Sequence, residues 1–192
     1  MSFASRLLLP AFIAEAMLSA AAHAEPVSVP PFRSVELRGG GHVFLRHGAE
    51  QRVVLLKGST RYTHFTHERG NPGQLVVDAC NEDCPPQYSL EVEIVTPTID
   101  GVAVSGGGKI ESGPGFGRQG SLAAAVEGGG DIDVRSIDAA KASAAVSGGG
   151  AIRLRAERRL EAAVDGGGDI RYWGDPAVTS AIDGGGNVSK GG

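Results

Sequence analysis

Apolar and polar residues alternate with a period of two along much of the chain. Leu122, Ala124 and Val126 alternate in this way before a run of three glycines, and Ile132 and Val134 do so after it. This period is typical of strands that bury one face, and no segment shows the 3.6-residue period of an amphipathic helix. The pattern therefore predicts an all-β protein.

Glycine triplets interrupt the alternation at a nearly constant spacing. A first triplet lies at 39–41, and the five later ones begin 22, 20, 18 and 18 residues apart. The later triplets are Gly106, Gly107, Gly108, Gly128, Gly129, Gly130, Gly148, Gly149, Gly150, Gly166, Gly167, Gly168, Gly184, Gly185 and Gly186. Because whole units match, we predict a β-solenoid of about 18–22 residues per repeat, with a Gly-Gly-Gly corner in every coil.

The chain divides into a short leader and one domain. Arg6, an apolar stretch and the sequence Ala22-His23-Ala24 are typical of a secretory signal peptide over 1–24. We expect export across the inner membrane, to the periplasm, the cell surface or the medium. Residues 25–192 are predicted to form a single β-solenoid domain, in which 25–100 are an irregular N-terminal part and 101–192 are the regular repeats. No later segment is long and apolar enough for a transmembrane helix.

Two cysteines, Cys80 and Cys84, fit an exported protein. In an oxidising compartment, the default for such a pair is a disulfide across a tight loop. The alternative is a metal site that joins the two thiols to His64 and His67. Structural zinc sites more often use a Cys-x2-Cys spacing, so the disulfide is our prediction.

Charge and composition exclude several functions. The chain has 22 Asp and Glu against 18 Lys and Arg, so it lacks the basic surface that a nucleic-acid partner requires. The repeats contain no His, and no nucleophile elbow or phosphate-binding loop is present in the sequence. We predict a non-enzymatic protein without a cofactor, and a polysaccharide-acting enzyme is the less favoured alternative.

Acidic residues flank the predicted corners, and in register they would form two columns beside the stacked glycines. They are Glu127, Asp131, Asp165, Asp169 and Asp183. Calcium prefers about six to eight oxygen ligands, so these residues are candidate calcium ligands. The alternative is that short acidic side chains accept hydrogen bonds from exposed corner amides.

The repeats, together with Tyr172-Trp173-Gly174-Asp175-Pro176, resemble a known bacterial family across roughly 30–190. This family is the putative auto-transporter adhesin head GIN domain, whose function is unknown. The resemblance implies a single-stranded, right-handed β-helix-like fold and a role in adhesion, with an unknown glycan or protein as ligand. The alternative function is a periplasmic structural or scaffold protein, for which self-association is possible.

Overall fold

The computed structural model describes residues 24–68, 73–80 and 83–192. The predicted signal peptide therefore lies, except for its last residue, outside the described residues. The described residues form no helix. They form these strands: β1 (Glu25–Val27), β2 (Ser34–Gly39), β3 (His42–His47), β4 (Arg52–Lys57), β5 (His64–Glu68), β6 (Gln74–Asp78), β7 (Glu91–Thr96), β8 (Gly101–Gly106), β9 (Lys109–Ser112), β10 (Gln119–Gly128), β11 (Asp131–Gly148), β12 (Ala151–Gly166), β13 (Asp169–Trp173), β14 (Ala177–Gly184) and β15 (Asn187–Lys190).

The strands are arranged as a nearly closed β-solenoid of about four turns, so the predicted fold class is confirmed. Strands that enter the glycine corners stack in parallel and form what we call the pre-corner face. Its order is β6, β2, β8, β10, the second half of β11, the second half of β12, and β14. Strands that leave the corners form the post-corner face, in the order β7, β3, β9, the first halves of β11 and β12, β13 and β15.

The corners stack in strict register. Gly128 is paired with Gly106 on one side and with Gly148 on the other, and the series continues to Gly166 and Gly184. Bonds between backbone amides and carbonyls, such as Gly149 N to Gly128 O at 3.0 Å, join each corner to the next. The backbones approach so closely at this edge that a side chain on the first or third glycine of a triplet would meet the preceding corner.

The core is narrow and is built from columns of identical or similar side chains. Ala124, Ala144 and Ala162 form one buried column, and Val126, Val146 and Val164 form the next, each on successive rungs. Ile132, Ile152 and Ile170 face them from the post-corner strands and are completely buried. Each coil thus covers the apolar side chains of its neighbour. A single coil could not bury these side chains alone, so the stability of the fold depends on the stacking.

The N-terminal part adds two coils whose spatial order differs from their order in the sequence. The coil made by β6 and β7 lies outside the coil made by β2 and β3, because β2 sits between β6 and β8. The loop between β6 and β7 takes the place of a glycine corner. Its ends are fixed by hydrogen bonds from Ala79 N to Arg38 O (3.0 Å) and from His42 N to Leu90 O (2.8 Å).

The same loop carries the Cys80–Cys84 disulfide, so that prediction is confirmed. Because both sulfurs are bonded to each other, the alternative metal site with His64 and His67 is not formed. Beyond this coil the pairing changes from parallel to antiparallel. Strand β5 lies against β6, β4 lies against β7, and β1 lies against β4. These antiparallel strands close the N-terminal end of the solenoid.

Candidate binding face

The pre-corner face presents a column of alanines to solvent. The residue three positions before each of five successive glycine triplets is alanine, and register places these residues on neighbouring rungs. The column consists of Ala103, Ala125, Ala145, Ala163 and Ala181, and we call it the alanine column. Its members are exposed or half-exposed. At a rung spacing of about 4.8 Å it extends for roughly 19 Å.

A second column of mostly small residues runs beside the alanine column, two residues further from the corner. Its members are Gly101, Ala123, Ser143, Glu161 and Thr179. The two columns together line one shallow, open groove on the sheet. Glu161 is the one long side chain of this second column, so a ligand could approach the strands almost to the backbone.

Charges of opposite sign lie along the two margins of this face. On the corner side, register aligns Glu127, Asp165 and Asp183, with Ser147 between the first two. On the opposite margin, Lys141 and Arg159 are paired on neighbouring strands. Six residues separate Arg159 from Asp165 along β12, which corresponds to about 20 Å in an extended strand. The face is therefore flat and apolar in its middle and charged at its edges.

The post-corner face differs because its long side chains are engaged with one another. The outward positions Glu111, Asp133, Arg153, Arg171 and Ser189 are aligned on successive rungs. Arg153 pairs with Asp131 at 2.7 Å, and Arg135 pairs with Asp133 at 2.7 Å. Arg171 lies over the ring of Trp173, at 5.5 Å from its centroid, so the arginines of this face are engaged by carboxylates or by an aromatic ring.

Two carboxyl groups, one on β2 and one on β9, have lowered pKa values. Hydrogen bonds from Arg38 lower the pKa of Glu36, and they outweigh the opposing effect of burial. A hydrogen bond from Lys109 lowers the pKa of Glu111 in the same way. Both carboxylates are therefore held in the charged form by a neighbouring cation, as expected for ion pairs that contribute to stability.

The five candidate calcium residues do not gather into one site. Glu127 lies on a rung two coils from Asp165, because Ser147 stands between them, and Asp131 accepts both bonds from Arg153 at 2.9 and 2.7 Å. Within 24–68, 73–80 and 83–192, no group of three His, Cys, Asp or Glu side chains could hold a metal ion. Calcium binding stays a prediction without a defined site. In the same part of the chain, no helix is long and apolar enough to cross a membrane.

One family model matches the regular repeats. Residues 102–176 match the family described as "Putative auto-transporter adhesin, head GIN domain". The predicted resemblance to the GIN-domain family is thus confirmed for this segment. The segment contains four of the glycine triplets and most of the alanine column. No curated protein sequence matches the chain.

Several solved structures resemble the whole domain. A putative adhesin from Bacteroides fragilis has a TM-score of 0.48 and 15% identity, covering 90% of this chain and 98% of its own. A putative adhesin from Parabacteroides merdae has a TM-score of 0.37 and 14% identity, covering 91% and 98%. A putative cell adhesion protein from Clostridium sporogenes has a TM-score of 0.42 and 10% identity, covering 88% and 98%.

Sequence reasoning identified the inward alanines but missed the outward alanine column. The signal was available, because alanine occurs three residues before every triplet from Gly106 onward. The residue two before each triplet is Val or Ile and points inward, so strand alternation requires the preceding alanine to point outward. At the first triplet this outward position is Glu36 instead, which marks the boundary of the column.

Proposed function

We propose that this protein is an exported, non-enzymatic binding module that contacts its partner through the pre-corner face. The observation that carries the proposal is the alanine column, a neutral and level strip across five coils of the solenoid. Such a strip lets a partner lie flat against the sheet without displacing long side chains. An exposed apolar strip that is rimmed by charged residues has the arrangement of a protein interaction site.

The chemistry of the face favours a protein partner over a glycan. Aromatic side chains are the usual apolar platform for a ring-shaped ligand, and none lines the described groove. The groove offers alanine methyl groups, the hydroxyls of Ser143 and Thr179, and the carboxylate of Glu161. The negative and positive margins would orient a partner that carries complementary charges.

The non-enzymatic part of the proposal has a chemical basis in the same residues. Alanine provides no nucleophile, acid or base, and on the post-corner face Arg153 and Arg135 are held in ion pairs with Asp131 and Asp133. The name of the matched family, which describes adhesins, supports the binding role. Export is supported by the signal-peptide pattern of 1–24.

A pair of alanine variants tests which face binds. Ala163→Arg places a long cation in the middle of the alanine column. Ala151→Arg is the matched control, since Ala151 lies on the post-corner face of the same β12 strand, between Asp131 and Asp169. Wild-type and variant proteins would be assayed for binding to immobilised extracellular-matrix proteins and to a glycan array. We expect Ala163→Arg to lose binding at least about tenfold and Ala151→Arg to retain it. Equal binding by both variants would contradict the proposal.

Protease treatment of intact cells tests the cellular side of the proposal. Digestion of the native protein by external protease, with periplasmic control proteins intact, would agree with an adhesin at the cell surface. Protection until the outer membrane is opened would contradict adhesion. That result would favour the alternative role, a periplasmic structural or scaffold protein.

A further inference from the structure

The two ends of the solenoid are finished differently. Antiparallel strands close the N-terminal end, whereas within 24–68, 73–80 and 83–192 β14 is paired only with β12 and β15 only with β13. Every residue of β14 is exposed. Val178 is 39% exposed and Ile182 is 47% exposed, although they continue the buried columns of Leu160 and Val164. The last coil thus leaves both apolar core positions and a backbone edge uncovered.

We propose that a second copy of this chain covers this end, by antiparallel pairing of β14 with β14 of the second copy. The two-fold axis passes through Ser180. In this register Ser180 lies opposite Ser180 of the second copy, and Val178 lies opposite Ile182. Each copy thereby covers the exposed apolar side chains of the other, in the way that each coil covers its neighbour within the chain.

The backbone of β14 supports this register. In a parallel ladder, alternate residues direct both their N–H and their C=O groups to the same neighbouring strand. Ala123 N donates to Asp100 O of the preceding coil at 2.8 Å, and register carries this position through Ser143 and Glu161 to Thr179. The backbone N–H and C=O groups of Thr179, and of every second residue from it along β14, therefore point toward β12.

The open edge is left with the backbone groups of Val178, Ser180 and Ile182. These are the residues whose side chains point inward. Antiparallel pairing centred on Ser180 makes all three of them hydrogen-bonded pairs, so the two copies exchange six backbone bonds. This one register therefore gives hydrogen-bond partners to the open backbone groups of β14 and also covers its exposed apolar side chains.

The charges on β14 also fit this pairing. Asp183 lies opposite Ala177 of the second copy, so no like charges meet across the new pair. Ala177 is in register with Arg159 on the next rung inward, so the Cα atom of Arg159 lies about 10 Å from the Cα atom of Asp183 of the other copy. The long Arg159 side chain can span most of this distance. Opposite charges thus meet twice, once on each side of the axis.

The residues on the edge strands at the two ends of the solenoid favour a closed dimer over a head-to-tail filament. A filament would require the C-terminal edge to pair with the opposite end, where β1 carries Pro26 and β5 carries His64, His67 and Glu68. Proline and charged residues on edge strands oppose the addition of further strands. A two-fold contact uses the uncharged segment of β14 twice and leaves no further edge of this kind.

The dimer would place the two pre-corner faces side by side and so lengthen the surface of the proposed function. The pairing itself does not depend on that function. Sedimentation velocity over a wide range of protein concentration measures it directly. We expect a reversible monomer–dimer equilibrium for the wild type.

Two variants of Ser180 make the test specific. Ser180→Pro removes an edge-facing N–H without removing a bond to β12, whereas Ser180→Ala keeps that N–H. We expect Ser180→Pro to raise the dimer dissociation constant about tenfold or more, and to leave the melting temperature unchanged at concentrations at which both proteins are monomeric. Ser180→Ala should dimerise like the wild type.

Cysteine crosslinking tests the register and remains informative if Ser180→Pro does not fold. Opposed residues of a hydrogen-bonded antiparallel pair have Cα atoms about 5.5 Å apart, within the range of a disulfide. Ser180→Cys should therefore form a reducible dimer under mild oxidation, and Ala163→Cys, one strand further in, should not. A wild type that is monomeric at every concentration overturns the proposal, and so does the absence of a Ser180→Cys crosslink. Loss of partner binding with an intact dimer would count against the proposed function alone.

Discussion

Alanine substitutions at two adjacent corner glycines should have opposite effects on stability. Gly148 has a φ of +115°, and a Cβ built on it would lie 2.6 Å from the carbonyl oxygen of Gly128 in the preceding corner. Gly149 has no atom within 4 Å of its Cβ position. Gly148→Ala therefore meets both a disfavoured backbone conformation and a backbone atom, whereas Gly149→Ala meets neither.

Two contributions determine how much unfolding free energy Gly148→Ala should lose. A non-glycine residue held at such a φ costs about 1–3 kcal/mol. The Gly128 oxygen cannot move away freely, because it accepts the 3.0 Å hydrogen bond from Gly149 N, and weakening that bond costs about 0.5–1.5 kcal/mol. Together they predict a loss of roughly 2–4 kcal/mol for Gly148→Ala. For a domain of this size, that corresponds to a melting temperature about 5–15 °C lower.

Gly149→Ala is the matched control in the same corner. Replacing glycine at an unstrained position reduces the entropy of the unfolded chain, which stabilises the folded state by about 0.4–1 kcal/mol. We therefore expect this variant to be as stable as the wild type or slightly more stable. Both variants replace one corner glycine with alanine. The difference between their unfolding free energies therefore measures the effect of the close stacking of the corners alone.

Urea denaturation monitored by far-ultraviolet circular dichroism measures both effects. The wild type and the two variants would be compared under identical conditions, with the midpoint and the slope fitted separately. Our account of the corners would be refuted if Gly148→Ala were as stable as the wild type. It would also be refuted if Gly149→Ala were destabilised as strongly as Gly148→Ala.

Two further predictions concern the core and the ion pairs. In the monomeric protein, Leu160→Ala should cost about 2–5 kcal/mol of unfolding free energy, because Leu160 is completely buried, whereas Val178→Ala on the next rung should cost clearly less. Equal losses in urea denaturation, measured at concentrations at which the protein is monomeric, would contradict the exposure of the last coil. The lowered pKa values of Glu36 and Glu111 make their ion pairs fully effective above the unfolded-state pKa near 4.5, so the melting temperature should fall as the pH drops below that value. Replacing both residues with Gln should reduce this acid sensitivity, and an unchanged pH profile would contradict the assignment.

The regular part of the fold could be predicted from the sequence because the fold repeats by translation. A matching residue in the next unit stacks directly on its equivalent, so a linear repeat such as Val126, Val146 and Val164 becomes a column in space. No contact between distant, unlike segments is needed to place these strands. Alternation and spacing were therefore sufficient for 101–192.

The N-terminal part could not be predicted in the same detail, because its contacts are between unlike segments. Strand β2 lies between β6 and β8 in the sheet. In the sequence, however, β6 comes after β2, and the 34 residues 40–73 separate the two strands. Nothing in the local pattern of either strand indicates that the two coils are stacked in reverse order. The change from parallel to antiparallel pairing at β4 and β5 is likewise set by tertiary contacts.

The contrast between the two faces follows from the stacking itself. Equivalent residues of successive coils are about 4.8 Å apart, so a column with one repeated charge would repel itself along its whole length. The post-corner face reduces this repulsion by pairing opposite charges, as Asp131 and Arg153 do. The acidic margin avoids it in part through Ser147. A neutral residue can be repeated on every coil without this repulsion. A solenoid can therefore present a uniform column over five coils only with uncharged residues. In the regular repeats of this chain, the exposed middle glycines of the triplets form one such column, and the alanine column is the one that carries side chains.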